Sequence, residues 1–337
     1  MATAPGANPL ARVPPCAYLD GAAVLSLLPF RTLIPHLQST LPTLSLSIHS
    51  PPRHSHTVDP SSSSTLLLMP SWSSDPSLPF IGVKLVTSFP LNSRLRLPGV
   101  HASFLLFSSS TGVPLASLDA TPLTLLRTAA VSALASLHLS RPDASVLILV
   151  GAGSLAPFLV RAHLFSRPSI NRVIIWNRTP DKARDLALDL RREFDSGVVF
   201  DHAEDLDELV GLGDIVSCAT SSVSPLIRGE LLKPGAHLDL VGSFTPAMRE
   251  CDDEALVRGR VFVDFEVAMK EAGELVGAFE RGVMAPGDVA GTLVELLGGV
   301  KEGRRSNEEV TVFKSVGTAV VDLLAAQLAY QTYTAST

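Results

Sequence analysis

The stretch from Ser145 to Thr179 restricts what this chain can fold into more than any other. Val146 to Val150 is an unbroken apolar run of strand length that ends in Gly151-Ala152-Gly153-Ser154-Leu155-Ala156. Parallel strands covered by helices on both faces have this composition, because neither face meets water. In a Gly-x-Gly-x-x-Ala turn the first glycine makes the tight reversal and the second lets the backbone approach a pyrophosphate. The small third residue lets the next helix pack closely on the strand. Gly151, Gly153 and Ala156 stand in those places. N–H groups at the start of that helix would face the phosphates. A second strand, Arg172 to Trp176, leads to Asn177-Arg178-Thr179, where the cofactor ribose should lie. An NAD site usually has an acid there to accept from the 2′-hydroxyl, whereas a guanidinium suits a 2′-phosphate. Arg178 therefore points to NADP(H). The same residues also read as a helix start, with Thr179 as N-cap and Pro180 at the first helical position, and both readings can hold.

From Ala144 strands and helices alternate, as a doubly wound sheet requires. Strands are expected near 146–150, 172–177, 198–200, 214–219, 237–241 and 261–264. A final helix is expected from Ser315, with Val316, Val320, Leu324 and Leu328 on its apolar stripe. The part before Ala144 reads as α+β. It has a helix over Tyr18 to Leu41, strands over 44–49, 65–69, 80–88, 102–108 and 114–118, and a strong helix over 121–139. Ser/Pro-rich loops fall at 61–64 and 70–79. The expected fold class is α/β: a Rossmann-type domain over 126–317 and an α+β substrate-binding and dimerisation lobe over 1–125, completed by the C-terminal helix at 318–337. The site would lie between the lobes, where the strand C-termini open.

Composition narrows the class. The 337 residues are 46% apolar and only 18% charged, which suits a compact enzyme with buried strands. A net charge of −6 without a basic run argues against nucleic acid as partner. Ala144 to Val160 is apolar but interrupted by the glycine turn, so it reads as strand plus helix, not as a membrane span. The run Ala22 to Leu28 is short and broken by Pro29, a poor signal peptide. Cys16, Cys218 and Cys251 form no Cys-x-x-Cys, and the histidines have no metal spacing, so no metal is expected and the compartment is a reducing one. The expectation is a soluble intracellular protein of the cytoplasm or plastid stroma, the acid-free first twelve residues leaving a plastid address open. No Glu precedes Glu193, so Arg53, Lys84 and Arg127 lie in an acid-poor half. That half would favour an anionic substrate or, equally, form a hydrophobic dimer interface.

Several blocks resemble the ornithine cyclodeaminase/mu-crystallin family. They are Met69-Pro70, Gly82-Val83-Lys84-Leu85-Val86-Thr87, Leu123 to Ala130 with its Arg127-Thr128-Ala129-Ala130, the glycine turn, Ile174 to Thr179, Lys233 to His237, and Thr311-Val312-Phe313-Lys314-Ser315-Val316-Gly317. The resemblance runs from about Arg12 to the end of the chain. It implies a homodimer whose N-terminal lobe carries the substrate site and whose Rossmann lobe carries NADPH. Cyclodeaminases of the family have a catalytic Asp two residues after a glycine, and here Gly242-Ser243-Phe244 puts a phenyl ring in that place. Phenylalanine can neither take nor give a proton, which disfavours deamination with cyclisation. The remaining branch resembles the ketimine reductases, above all their plant forms, which implies reduction of dehydropipecolate (Δ1-piperideine-2-carboxylate) to pipecolate. A non-catalytic NADPH-dependent binding protein of mu-crystallin type is the alternative, and ornithine cyclodeaminase a third.

A cyclic ketimine carboxylate needs cations for its carboxylate, a proton for its ring nitrogen and a nicotinamide within hydride reach. The family match makes Lys84, Arg127 and Arg53 the catalytic candidates. Arg127 on a helix suits a bidentate clamp, or alternatively pairs with an acid. Lys84 ends an apolar strand, where desolvation between two arginines would lower its pKa. Arg53 follows Pro51-Pro52 in a loop and reads equally as a surface residue. The resemblance adds Thr220, Ser315 and Gly317 to the cofactor set. Ser315 and Gly317 would present a hydroxyl and N–H groups at the start of the last helix, where Ser315 also reads as an ordinary N-cap. Asp322 would lie on the same side of that helix and orient a lysine or the substrate.

Overall fold

The computed structural model describes residues 15–62, 64–95, 97–194 and 197–336, so the acid-free N-terminal twelve residues lie outside it. Two sheets form. The first has the strand order Ala17–Leu19, Pro114–Asp119, Val100–Ser108, Phe80–Ser88, Ser64–Ser73, Ile48–His49, and His54–Asp59 also pairs with Ser64–Ser73. Its pairings are antiparallel except that of Ala17–Leu19 with Pro114–Asp119.

The second sheet has eight parallel strands in the order Val199–Ala203, Arg172–Trp176, Val146–Val150, Ile215–Cys218, His237–Leu240, Val310–Lys314, Gly259–Val263, Gly291–Thr292. Strand order reverses between Val146–Val150 and Ile215–Cys218, and ligands of such sheets bind at that point, beyond the strand C-termini. Leu147 to Val150 are wholly buried, as their uninterrupted apolar run requires.

The helix Ala120–Leu139 joins the lobes and is one unbroken element across the 125/126 boundary expected between them. Asp119 caps it by accepting from the Thr121 N–H at 2.9 Å. By length and hydropathy this helix could cross a membrane, but 72% of that stretch is buried inside the protein. It is buried along most of its length, and the glycine-turn helix Ala156–Ser166 packs alongside it. Its Ser132 donates to Asp239 of the Rossmann sheet at 3.0 Å, and Ser217 donates to the same carboxylate at 2.6 Å. The C-terminal helix Ala319–Ser336 returns to the N-terminal lobe and packs on Phe30–Leu44 and on the strands Ser64–Ser73 and Phe80–Ser88.

Local details depart from the sequence expectations where long-range contacts decide. The expected helix over Tyr18 to Leu41 is a short strand followed by two helices, Gly21–Leu27 and Phe30–Leu44, broken at Pro29, whose ring fixes an entry geometry and removes a donor. The strand expected over 44–49 is only Ile48–His49. The expected loop at 70–79 begins as strand as far as Ser73. Val310–Lys314, where no strand was expected, inserts between the fifth and sixth expected strands, and Val316 precedes the last helix instead of joining its stripe. That helix is buried almost all round from Ala319 to Gln327.

Candidate active site

The strand Phe80–Ser88 delivers Lys84, the central helix delivers Arg127, and the C-terminal helix delivers Asp322. Lys84 Nζ donates to Asp322 Oδ2 at 2.5 Å and Arg127 Nε donates to Oδ1 at 2.9 Å. Residues 238 and 195 apart in sequence thus form one buried triad. Burial pushes the Lys84 ammonium down to about 8; Asp322 opposes that shift, while Arg127 and Arg53 add to it. Burial resists ionisation of Asp322, but Arg127 and Lys84 outweigh it and hold the carboxyl below its ordinary range. The Nη1 and Nη2 groups of Arg127 donate to no acceptor among the described residues. They lie against Gly317, whose φ of +74° and missing side chain permit that approach.

A cavity of about 670 Å³ opens between the lobes, lined by Met69, Arg53, Phe265, Glu271, Gly317 and Thr318 among others. Met69 is the strand partner of Lys84, and Gly317 abuts Arg127, so both cations adjoin residues of the cavity wall. Arg53 lines the cavity itself and is paired with Glu271 of the other lobe at 2.5 Å.

Ser315 was expected to open the last helix, but it lies four residues ahead of it. The helix begins at Ala319, and the donors ahead of it are taken by Asp264, a buried residue just past the strand Gly259–Val263. Asp264 Oδ2 accepts from Ser315 Oγ at 2.9 Å, the Val316 N–H at 3.0 Å and the Gly317 N–H at 2.8 Å, while Oδ1 accepts from the Phe265 N–H at 2.8 Å. Burial nevertheless pushes the Asp264 carboxyl up. The loop shapes the cavity, and its donors are already engaged by Asp264.

Thr220, expected in the cofactor set, is likewise engaged by a buried acid. Its N–H and hydroxyl donate to Glu250 Oε1 at 2.7 and 2.8 Å, and Oε2 accepts from the N–H groups of Gly242 and Ser243 at 2.8 and 3.3 Å. Glu250 thereby ties together the loops after two adjacent Rossmann strands, beside Glu274 and Lys314. Burial pushes its carboxyl up to about 7. Sequence reading missed Asp264, Glu250 and Glu271, because isolated acids in loops and short helices carry no periodic or motif signal.

At the nucleotide end the glycine turn fits a pyrophosphate. A side chain on Gly151 would strike the Ala219 carbonyl, whereas one on Gly153 would project into open space. Ala156 is wholly buried at the start of its helix. The N–H groups of Gly153, Ser154 and Leu155 have no acceptor among the described residues, while that of Ala156 bonds to Gly153 O at 3.0 Å. Asn177 braces the turn: its Oδ1 accepts from the Ala152 N–H at 3.1 Å and its Nδ2 donates to Thr179 O at 3.0 Å. Thr179 occupies the N-cap position of Pro180–Glu193 without a side-chain capping bond. Arg178 is exposed and makes no ion pair among the described residues.

The model of the ornithine cyclodeaminase/mu-crystallin family matches residues 19–337. The chain belongs to that family. It is similar to Protein SAR DEFICIENT 4 of Arabidopsis thaliana, with 57% identity over 317 residues that cover 94% of this chain and 97% of the relative. It is also similar to the Δ1-pyrroline-2-carboxylate reductase of Colwellia psychrerythraea, at 38% identity over 88% of this chain and 93% of the other. Among solved structures, the Δ1-pyrroline-2-carboxylate reductase of Thermococcus litoralis in complex with NADH and L-proline superposes with a TM-score of 0.89 at 29% identity, covering 95% and 98% of the two chains. An archaeal alanine dehydrogenase dimer with bound NAD gives 0.86 at 28% identity, covering 95% and 97%. Phe244, expected at the place of the cyclodeaminase acid, is half-exposed beside buried Ser243.

Proposed function

We propose that this protein is an NADPH-dependent reductase of cyclic ketimine carboxylates, forming pipecolate from Δ1-piperideine-2-carboxylate. The observation that carries the reading is the pair of cations, Lys84 and Arg127, held by one buried carboxylate beside a cavity lined by Arg53. Similarity to pyrroline-2-carboxylate reductases supports an oxidoreductase acting on a C=N bond. The lack of an acid at Phe244 removes the group that cyclodeamination needs.

When bound, the reduced nicotinamide supplies the hydride that the imine carbon takes up. The glycine turn and Arg178 would hold the nucleotide, with Arg178 on a 2′-phosphate. Arg127 offers Nη1 and Nη2 to the substrate carboxylate, and its fork is preset by the Nε bond to Asp322. Lys84, with its value near 8, carries a proton at neutral pH and gives it to the ring nitrogen, so that C=N becomes CH–NH; water then reprotonates it. Asp322 holds both cations in place and stabilises their charge. Mixing the protein with NADPH and freshly generated Δ1-piperideine-2-carboxylate tests the reading, pipecolate being the expected product.

The assembly we assign is a homodimer joined through the N-terminal lobe. That lobe exposes Leu46, Val58, Leu95, Leu97 and Val100, and its strand His54–Asp59 pairs on one side only among the described residues. Light scattering at micromolar concentration should give twice the chain mass. The compartment we assign is the cytoplasm or plastid stroma, where the free thiols of Cys16, Cys218 and Cys251 persist. Fractionation with a tagged full-length chain checks that assignment.

A further inference from the structure

Arg53 and Glu271 face each other across the cavity between the lobes. Arg53 comes from the loop after Pro51-Pro52, and Glu271 ends the short helix Ala268–Glu271 of the Rossmann lobe. Arg53 Nη2 donates to Glu271 Oε2 at 2.5 Å, and each side chain is 25% exposed. Neither has another ionic partner among the described residues. The other two cations differ, because Lys84 and Arg127 share Asp322, which is wholly buried on the C-terminal helix.

Counting charges around the cavity gives Lys84, Arg127 and Arg53 against Asp322, Asp264, Glu271, Glu266 and Glu295. The acids outnumber the cations before any ligand enters. A carboxylate entering such a site adds an uncompensated charge unless a resident carboxylate withdraws or takes a proton. Asp322 is fixed by two cations and Asp264 by four donors. Glu271 is held by Arg53 alone and reaches solvent. Burial already pushes its carboxyl up, which eases its neutralisation.

We infer that Glu271 is a resident competitor for the substrate carboxylate: the incoming imine carboxylate takes Arg53 from Glu271, and Glu271 thereby sets the affinity for anionic ligands. The inference rests on reading this cavity as the imine carboxylate site. Glu271 acts through Arg53 and is a specificity-determining residue, not one that handles the reacting atoms.

The test measures KM for Δ1-piperideine-2-carboxylate at saturating NADPH, and inhibition by pyridine-2-carboxylate and its neutral carboxamide. The variants are Glu271→Gln, Glu271→Ala, Arg53→Ala and Glu271→Gln with Arg53→Ala. Glu271→Gln should lower KM and the inhibition constant of the carboxylate about 3–10-fold, the scale of a partly exposed ion pair. Glu271→Ala should move both in the same direction. Inhibition by the carboxamide should stay unchanged, and the gain should vanish when Arg53 is also removed. Weaker or unaltered carboxylate binding in both Glu271 variants, with wild-type melting temperatures, would overturn the inference, since Glu271 would then merely position Arg53. A wild-type protein that neither reduces the imine nor binds pyridine-2-carboxylate would remove the parent reading and the inference together, whereas turnover with unaltered KM removes the inference alone.

Discussion

The guanidinium of Arg127 lies against the Cα of Gly317, where the backbone has a φ of +74°, with no side chain between helix and loop. Substitution at Gly317 should therefore act twice. A non-glycine residue in the left-handed region costs about 1–2 kcal/mol, and an added methyl group would also displace the guanidinium. Gly317→Ala should lower unfolding free energy in denaturant by about 1–3 kcal/mol and weaken the carboxylate substrate more than NADPH. Equal weakening of both ligands would separate Gly317 from the substrate end of the site.

Arg127 has two tasks, a structural one toward Asp322 and a binding one toward the substrate. Arg127→Lys keeps a charge for Asp322 but not the two-pronged fork. Its kcat/KM should fall roughly 10–100-fold or more, with NADPH affinity and melting temperature nearly kept. A neutral imine without the carboxylate should lose much less. Similar proportional losses for both substrates would defeat the clamp. Arg127→Met should instead destabilise the protein by about 3–5 kcal/mol, because Asp322 would lose one of its two buried partners.

Lys84 makes activity pH-dependent with a definite sign. Its protonated form is the donor and its value is about 8, so kcat/KM should be level below that pH. Above it, kcat/KM should fall about tenfold per pH unit. Lys84→Met should lose roughly 10²–10⁴-fold and lose that alkaline limb as well. A limb that survives the substitution belongs to another group.

How much of this was legible in sequence depended on how local the cause was. Val146–Val150, the glycine turn and Arg172–Trp176 announce themselves because a buried parallel strand is continuously apolar and the turn has local glycine chemistry. Phe80–Ser88 was readable from its own run of apolar and β-branched residues, although its pairings are antiparallel. Val310–Lys314 was not, since it follows a charged loop and is strand only through pairing with His237–Leu240 and Gly259–Val263. The loop ahead of the last helix is set by Asp264, 51 residues before Ser315 in the chain, and no local pattern predicts that partner. Arg53 looked like a free cation because its partner, Glu271, lies 218 residues away on the other lobe.

Arg178 should set cofactor choice. A charge-assisted bond to a phosphate contributes roughly 1.5–3 kcal/mol, so Arg178→Ala should weaken NADPH about 10–100-fold and NADH little. Fluorescence titration of both cofactors on the variant measures this directly. Equal losses would move the 2′-phosphate contact elsewhere.

The most direct measurement follows NADPH absorbance and pipecolate formation together, with Δ1-piperideine-2-carboxylate and its five-membered homologue tested under identical conditions. The account predicts one pipecolate formed per NADPH oxidised, faster than with NADH. Retained NADPH binding without any oxidation of the cofactor by either imine would contradict it.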